Sequence, residues 1–216
     1  MVSDFMKESL SSCLGPVENA FCLPPLAYTS SEALSFERNS IFDKGWVPIG
    51  RADRLLGIGD YVALDIIDRP VILIRNNENE LNALANSCRH RGAKLLEGTG
   101  TIKGIRCPFH SWLYRTDGTL AAAPRMERSI SFQDCSNDLI RYDLVERLGF
   151  LFISFQEKPI DIDEWLGNFA LLHESWPLSE MITTRTWTRE FPFNWKCFLD
   201  VFNEYYHLPF VHRDSI

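Results

Sequence analysis

No run of apolar residues in the 216-residue chain approaches the roughly eighteen that a membrane-spanning helix requires; the most apolar windows, Val71 to Ile74 and Phe150 to Phe155, are strand-sized. Basic charge is in deficit: 22 Lys and Arg stand against 29 Asp and Glu, a net charge of -7, which opposes the phosphate-neutralising surface that nucleic-acid binding needs. The opening Met1 to Pro25 contains acids and lacks both the basic-then-apolar order of a secretory leader and the Arg-rich, acid-poor composition of a transit peptide. The chain is therefore expected in the cytoplasm, with neither nucleic acid nor membrane as partner. Repeats and low-complexity tracts are also missing. Six cysteines, at positions 13, 22, 88, 107, 135 and 197, lie in a medium-sized chain without an export pattern, so a disulfide framework explains them poorly. Cys13, Cys22, Cys135 and Cys197 have no partner in sequence and read as small apolar groups for burial.

What is present is ordinary globular composition, 45% hydrophobic and 24% charged. Residues 1–43 form a polar lead-in, with Leu23-Pro24-Pro25 an extended piece that ends any helix before it. From Gly45 short apolar runs alternate with turn residues, as in a small antiparallel sheet domain reaching to residue 155. Strands are expected over Tyr61 to Ile67 and Val71 to Arg75, separated by Asp68-Arg69-Pro70, and over Leu81 to Ala85, Ile102 to Arg106 and Trp112 to Tyr114. Val145 to Phe155 reads as a closing hairpin. Residues 156–216 begin a second domain: an amphipathic helix over Ile162 to Leu172, a strand over Thr183 to Glu190, and a helix over Trp195 to Tyr206 with Asn194 as its N-cap.

Four of the five histidines fall into two tight patterns. The first is Cys88-x-His90, sixteen residues, then Cys107-x-x-His110. Two thiolates and two imidazoles on paired loops suit an asymmetric two-iron, two-sulfide centre, with the cysteines on one iron and the histidines on the other. Gly92, Gly98, Gly100 and Gly104 loosen the surrounding chain, Pro108 stiffens the second loop, and Trp112 is placed to keep water out. A zinc site of two cysteines and two histidines is the alternative, but its like-with-like spacing differs from these mixed pairs. The second pattern, Glu204-x-x-His207-x4-His212, supplies most of a site for a single iron held by two histidines and a carboxylate. A three-residue spacing on a helix would let Glu204 orient His207, with Asp200 one turn earlier on the same face.

Cys88-Arg-His90-Arg-Gly92 and Cys107-Pro-Phe-His110-Ser-Trp112 resemble the two cluster loops of Rieske proteins, and Trp46 to Phe155 resembles their oxygenase branch throughout. Respiratory Rieske proteins carry two further loop cysteines where this chain has Ala93 and Phe109, so the resemblance implies a lower-potential cluster without a loop disulfide. Asn194-Trp-Lys, Asp200, Glu204, Tyr206, His207 and His212 resemble the catalytic-iron segment of Rieske non-haem iron oxygenase alpha subunits, although Val201 stands where many relatives have Asn. The implied fold is mostly β with an α+β continuation: a lead-in (1–43), a small antiparallel β-sandwich of Rieske type (44–155), and the truncated start of a helix-grip catalytic domain (156–216). The implied cofactors are a [2Fe-2S] cluster on Cys88, His90, Cys107 and His110 and a mononuclear Fe(II) on His207 and His212.

In that family the third iron ligand is an Asp far downstream, which makes this chain an N-terminal fragment or a shortened relative. Glu204 would bridge to His110 of a neighbouring subunit in a head-to-tail homotrimer, with Asp200 behind it. Electrons would come from NAD(P)H through a separate flavin and iron-sulfur reductase or a ferredoxin, and O2 with a small organic substrate would react at the lone iron. Glu at the bridge, in Glu-x-Tyr-His, is similar to the choline, betaine and carnitine branch. Arg89 and Arg91 flank the cluster as either a docking charge or merely solvated groups. The rival reading is a Rieske ferredoxin-like electron carrier without oxygenase activity of its own.

Overall fold

The computed structural model describes residue 8, residues 10–133 and residues 136–215. It falls into two compact units: residues 41–186, and the lead-in up to Ser40 together with Trp187 onward. No helix among the described residues is long and apolar enough to cross a membrane.

The first unit is an antiparallel β structure. Strands β1 (Val47–Arg51), β2 (Asp60–Ile66), β3 (Arg69–Arg75), β4 (Leu81–Ala85), β5 (Thr99–Thr101), β9 (Arg141–Arg147) and β10 (Phe150–Ser154) form a seven-stranded sheet in the order β1-β10-β9-β4-β3-β2-β5. Three short strands, β6 (Ile105–Arg106), β7 (Leu113–Tyr114) and β8 (Leu120–Ala122), form a second sheet. Strand β3 explains why its sequence is continuously apolar: Val71 and Leu73 pack into one core cluster, Ile72 and Ile74 into another, and all four are buried. The cluster around Ile72 and Ile74 also contains Cys88, Cys107, Trp112 and Tyr114, so one face of β3 is the floor beneath both Cys-His loops.

Several expected boundaries move for identifiable reasons. The β2–β3 reversal is the two-residue turn Ile67-Asp68, both at positive φ, and the closing hairpin turns at Leu148-Gly149 in the same way. Arg69 and Pro70 thus belong to β3, and Arg69 pairs with Asp43 at 2.5 Å. Strands β1, β5 and β8 were not expected from sequence. The span Ile162 to Leu172 is two short helices, Ile162–Leu166 and Phe169–Leu172, broken at Gly167. Thr183 to Glu190 is not a strand: none of the described residues forms a ladder with it. Side chains hold its start instead, Asp53 accepting from the backbone N–H and hydroxyl of Thr183, and Arg51 donating to the carbonyls of Leu178 and Met181.

In the second unit the lead-in supplies the α-helices Pro25–Thr29 and Ser31–Glu37; Pro24 is extended and Pro25 opens the first of them. The later segment supplies helix Trp195–Phe202 and the short helix Leu208–Val211. Burial is not observed for three of the spare cysteines: Cys22 is exposed, and Cys13 and Cys197 are only half-buried. Cys135, and most of the stretch before Cys13, lie outside the described residues.

Candidate metal centre

The two Cys-His loops repeat one backbone design. In the first, the Cys88 N–H donates to Ala93 O (2.9 Å) and the Gly92 N–H to Cys88 O (2.8 Å); in the second, the Cys107 N–H donates to Trp112 O (2.8 Å) and the Ser111 N–H to Cys107 O (3.1 Å). The fourth residue after each cysteine has positive φ, Gly92 at 69° and Ser111 at 59°. Glycine supplies this freely in the first loop, whereas Ser111 adopts it in the second, where sequence gave no hint.

The donors are sorted by depth. Cys88 and Cys107 are 3% and 2% exposed, while His90 is half-buried and His110 exposed. The two imidazole rings meet edge to face with centroids 4.7 Å apart, and Trp112 stacks on His90 at 5.0 Å, shielding it as expected. Burial, then the nearby His110 and Arg91, pushes the His90 pKa below its usual value, which favours the neutral ring that ligates metals. Soft thiolates deep and imidazoles near the surface fit a two-iron, two-sulfide group. Among the described residues, no three His, Cys, Asp or Glu side chains gather as a single-ion site.

Two supporting residues escaped sequence reasoning. Tyr114, fully buried, places its hydroxyl 3.3 Å from Cys88 Sγ and accepts from the Arg89 N–H at 3.1 Å, which leaves the hydroxyl proton for the sulfur. Burial, reinforced by the Cys88 contact, raises its pKa and keeps it protonated. The signal was present in the two-residue spacing of Trp112 and Tyr114, which both enter the core cluster that holds the cysteines. Asn86, 1% exposed, accepts from the N–H groups of Leu95 (3.0 Å) and Leu96 (2.9 Å) and donates to Leu96 O (2.8 Å), closing the first loop at its base.

The second pattern is also brought together, by different geometry from that expected. The helix ends at Phe202, so Glu204 and His207 do not share a helical face. Glu204 lies in the following turn, where its carboxylate accepts from the N–H groups of Tyr206 and His207 and contacts His207 Nδ1. These hydrogen bonds, the His207 ring first, hold the Glu204 pKa below the usual carboxylate value. With Nδ1 engaged by Glu204, Nε2 is the ring nitrogen of His207 left open to a metal. The His207 and His212 rings lie 5.4 Å apart. Asp200 does sit on the helix, but its carboxylate accepts from the Tyr28 hydroxyl at 2.7 Å, and that bond pushes the Tyr28 pKa up to about 12.

Buried thiolates beneath paired surface imidazoles, on two matching loops of a small antiparallel β structure, define a Rieske-type iron-sulfur protein. Residues 45–141 match the Rieske [2Fe-2S] domain, and residues 178–216 match the catalytic domain of the ring hydroxylating alpha subunit. The chain belongs to the Rieske non-haem iron oxygenase alpha-subunit family. It is 34% identical over 208 residues to the carnitine monooxygenase oxygenase subunit of Escherichia coli K12, covering 93% of this chain and 54% of that one. It is 29% identical to the glycine betaine monooxygenase oxygenase subunit of Pseudomonas aeruginosa PAO1, covering 97% and 49%. The crystal structure of the quaternary ammonium Rieske monooxygenase CntA with L-carnitine superposes with a TM-score of 0.86 at 30% identity, over 91% of this chain and 58% of that one. The chain spans about half the length of the curated relatives it matches.

Proposed function

We propose that this chain is the electron-accepting part, with the opening of the catalytic part, of an oxygenase component that hydroxylates or oxidatively N-demethylates a small organic substrate. The observation that carries the reading is the sorted donor set, two buried cysteine sulfurs and a half-buried and an exposed imidazole with ring centroids 4.7 Å apart, upstream of a carboxylate-His-His segment. Cys88, His90, Cys107 and His110 hold the [2Fe-2S] cluster; His207 and His212 hold the mononuclear iron, and a downstream carboxylate completes it. When bound, the cluster relays single electrons and the lone iron supplies oxygen activation. Trp112 and Tyr114 exclude water from the thiolate side. Glu204 fixes the ring orientation of His207 and, in a head-to-tail homotrimer, reaches His110 of a neighbouring subunit, with Asp200 behind it.

The reductant is NAD(P)H through a separate flavin and iron-sulfur reductase or a ferredoxin, in the cytoplasm. Segments 1–43, 44–155 and 156–216 serve as lead-in, Rieske domain and the start of a helix-grip catalytic domain. Similarity to carnitine and glycine betaine monooxygenase subunits supports a quaternary ammonium substrate, with Glu204 in Glu-x-Tyr-His as the local feature.

Iron counting on anaerobically purified chain separates this reading from a Rieske ferredoxin-like carrier. The oxygenase reading gives about two irons with two sulfides, plus a substoichiometric third that disappears in His207→Ala. A count that stays at two in both proteins favours the carrier. A second measurement addresses Tyr114. A hydrogen bond to a thiolate stabilises the more negative, reduced cluster, so Tyr114→Phe lowers the reduction potential by roughly 40–60 mV, equivalent to about 1–1.5 kcal/mol for one electron. An unchanged potential removes Tyr114 from the centre.

A further inference from the structure

Helix Trp195–Phe202 leads directly into the Glu204 to His212 segment, yet it has no buried residue; Phe198, Leu199, Val201 and Phe202 are all exposed. Apolar packing within the described chain therefore does little to fix it. Its polar side is held firmly, and by the lead-in.

At the first turn, Glu37 receives the Trp195 Nε1–H at 2.9 Å and Lys196 Nζ at 2.5 Å. The Glu37 and Lys196 side chains are each 11% exposed. Such a shielded ion pair persists only where its geometry is well satisfied. Lys196 is further directed by Asn194 Oδ1 at 2.8 Å, the same oxygen that caps the helix through the Lys196 N–H at 3.0 Å, and its Nζ lies 5.5 Å from the centre of the Tyr28 ring. At the last turn the Tyr28 hydroxyl donates to Asp200 Oδ2 at 2.7 Å. Tyr28 and Glu37 belong to successive helices joined at Ser30, whose hydroxyl accepts from the N–H groups of Glu32 and Ala33. Two adjoining elements thus grip both ends of one eight-residue helix.

We infer that Glu37 and Tyr28 form a two-point polar clamp that sets helix Trp195–Phe202 and so positions the Glu204, His207 and His212 loop that follows it. They are positioning residues: neither lies among the proposed metal ligands. The clamp itself is geometric, and its functional meaning rests on the proposed role of that loop.

The test uses the full chain with its cluster loaded, alongside Tyr28→Phe, Glu37→Gln and His207→Ala. Hydrogen exchange reports the order of residues 199–207, and Co(II) is the probe for the His207 and His212 site. Removing one hydrogen bond to a charged partner raises amide exchange over 199–207 about tenfold in Tyr28→Phe and in Glu37→Gln. In both, the Co(II) concentration at half-saturation rises at least about fivefold and the ligand-field bands shift. Exchange in the strands between Val47 and Ser154, and the visible spectrum of the cluster, stay as in the parent.

Unchanged exchange at 199–207 in both variants overturns the clamp, as does an equal rise throughout the strands. Unaltered Co(II) binding and bands in both, where His207→Ala abolishes uptake, overturn the positioning role while leaving the proposed function standing. If the parent takes up no Co(II), the proposed role of His207 and His212 falls, and the clamp is decided by exchange alone.

Discussion

Cys107→Ser is expected to give a colourless chain: the visible bands and the EPR signal of the reduced cluster vanish, and about two irons and two sulfides per chain are lost. Serine replaces a soft, easily ionised thiolate with a hydroxyl that stays protonated at neutral pH and matches iron-sulfide chemistry poorly. Cys107 is 2% exposed and its N–H and C=O are both committed, to Trp112 O and the Ser111 N–H. Among the described cysteines only Cys88 shares its core cluster. Lost ligation also removes a cross-link between two loops, so the thermal midpoint falls as well. Metal and sulfide analysis checks the outcome; a Cys107→Ser chain with full iron and sulfide would refute the ligand assignment.

The second large effect is expected far from any donor atom, at Gly59. Its φ is +86°, and a Cβ built there would lie 2.2 Å from the carbonyl oxygen of Ile102. Backbone meets backbone at that point, the Gly59 N–H donating to Arg75 O at 2.8 Å and the Ile102 N–H to Gly59 O at 2.9 Å. Gly59→Ala must adopt an unfavourable φ and push the Ile102 segment away, at a cost of about 3 kcal/mol or more. Because Ile102 leads into β6 and then Cys107, the displacement propagates toward the second ligand loop. Denaturant unfolding should show a lowered midpoint with an unchanged slope, and cluster content should fall with it. A variant with parental stability would refute this reading of the Gly59 contact.

Different parts of the molecule were readable from sequence to different depths. Strand β4 falls where Leu81 to Ala85 predicts it, because a short apolar run between polar turns has few alternatives. Asn194 caps its helix as expected, since that bond is local. The helix end was misplaced by four residues because Glu204 can satisfy the Tyr206 and His207 N–H groups from a turn, and this competition depends on local geometry that periodicity does not report. Strands β1 and β5 were missed because Gly50, Gly98 and Gly100 sit in or beside them, and those residues read as loop until neighbouring strands recruit them. The strand expected over Thr183 to Glu190 fails for the reverse reason: propensity without a paired neighbour makes no ladder.

By itself, then, the sequence determined the chemistry: two thiols and two imidazoles at mixed spacing, a carboxylate-His-His segment, and the hydrophobic alternation that makes a small antiparallel sheet. Side-chain type and spacing within a few residues decide those features. Only the tertiary structure decided that the thiolates are deep and the imidazoles shallow, that Tyr114 and Asn86 back the first loop, and that Tyr28 and Glu37 grip a helix more than 150 residues away in sequence. Contacts of that range join segments that local propensity and spacing do not connect, and no local pattern in the chain encodes them.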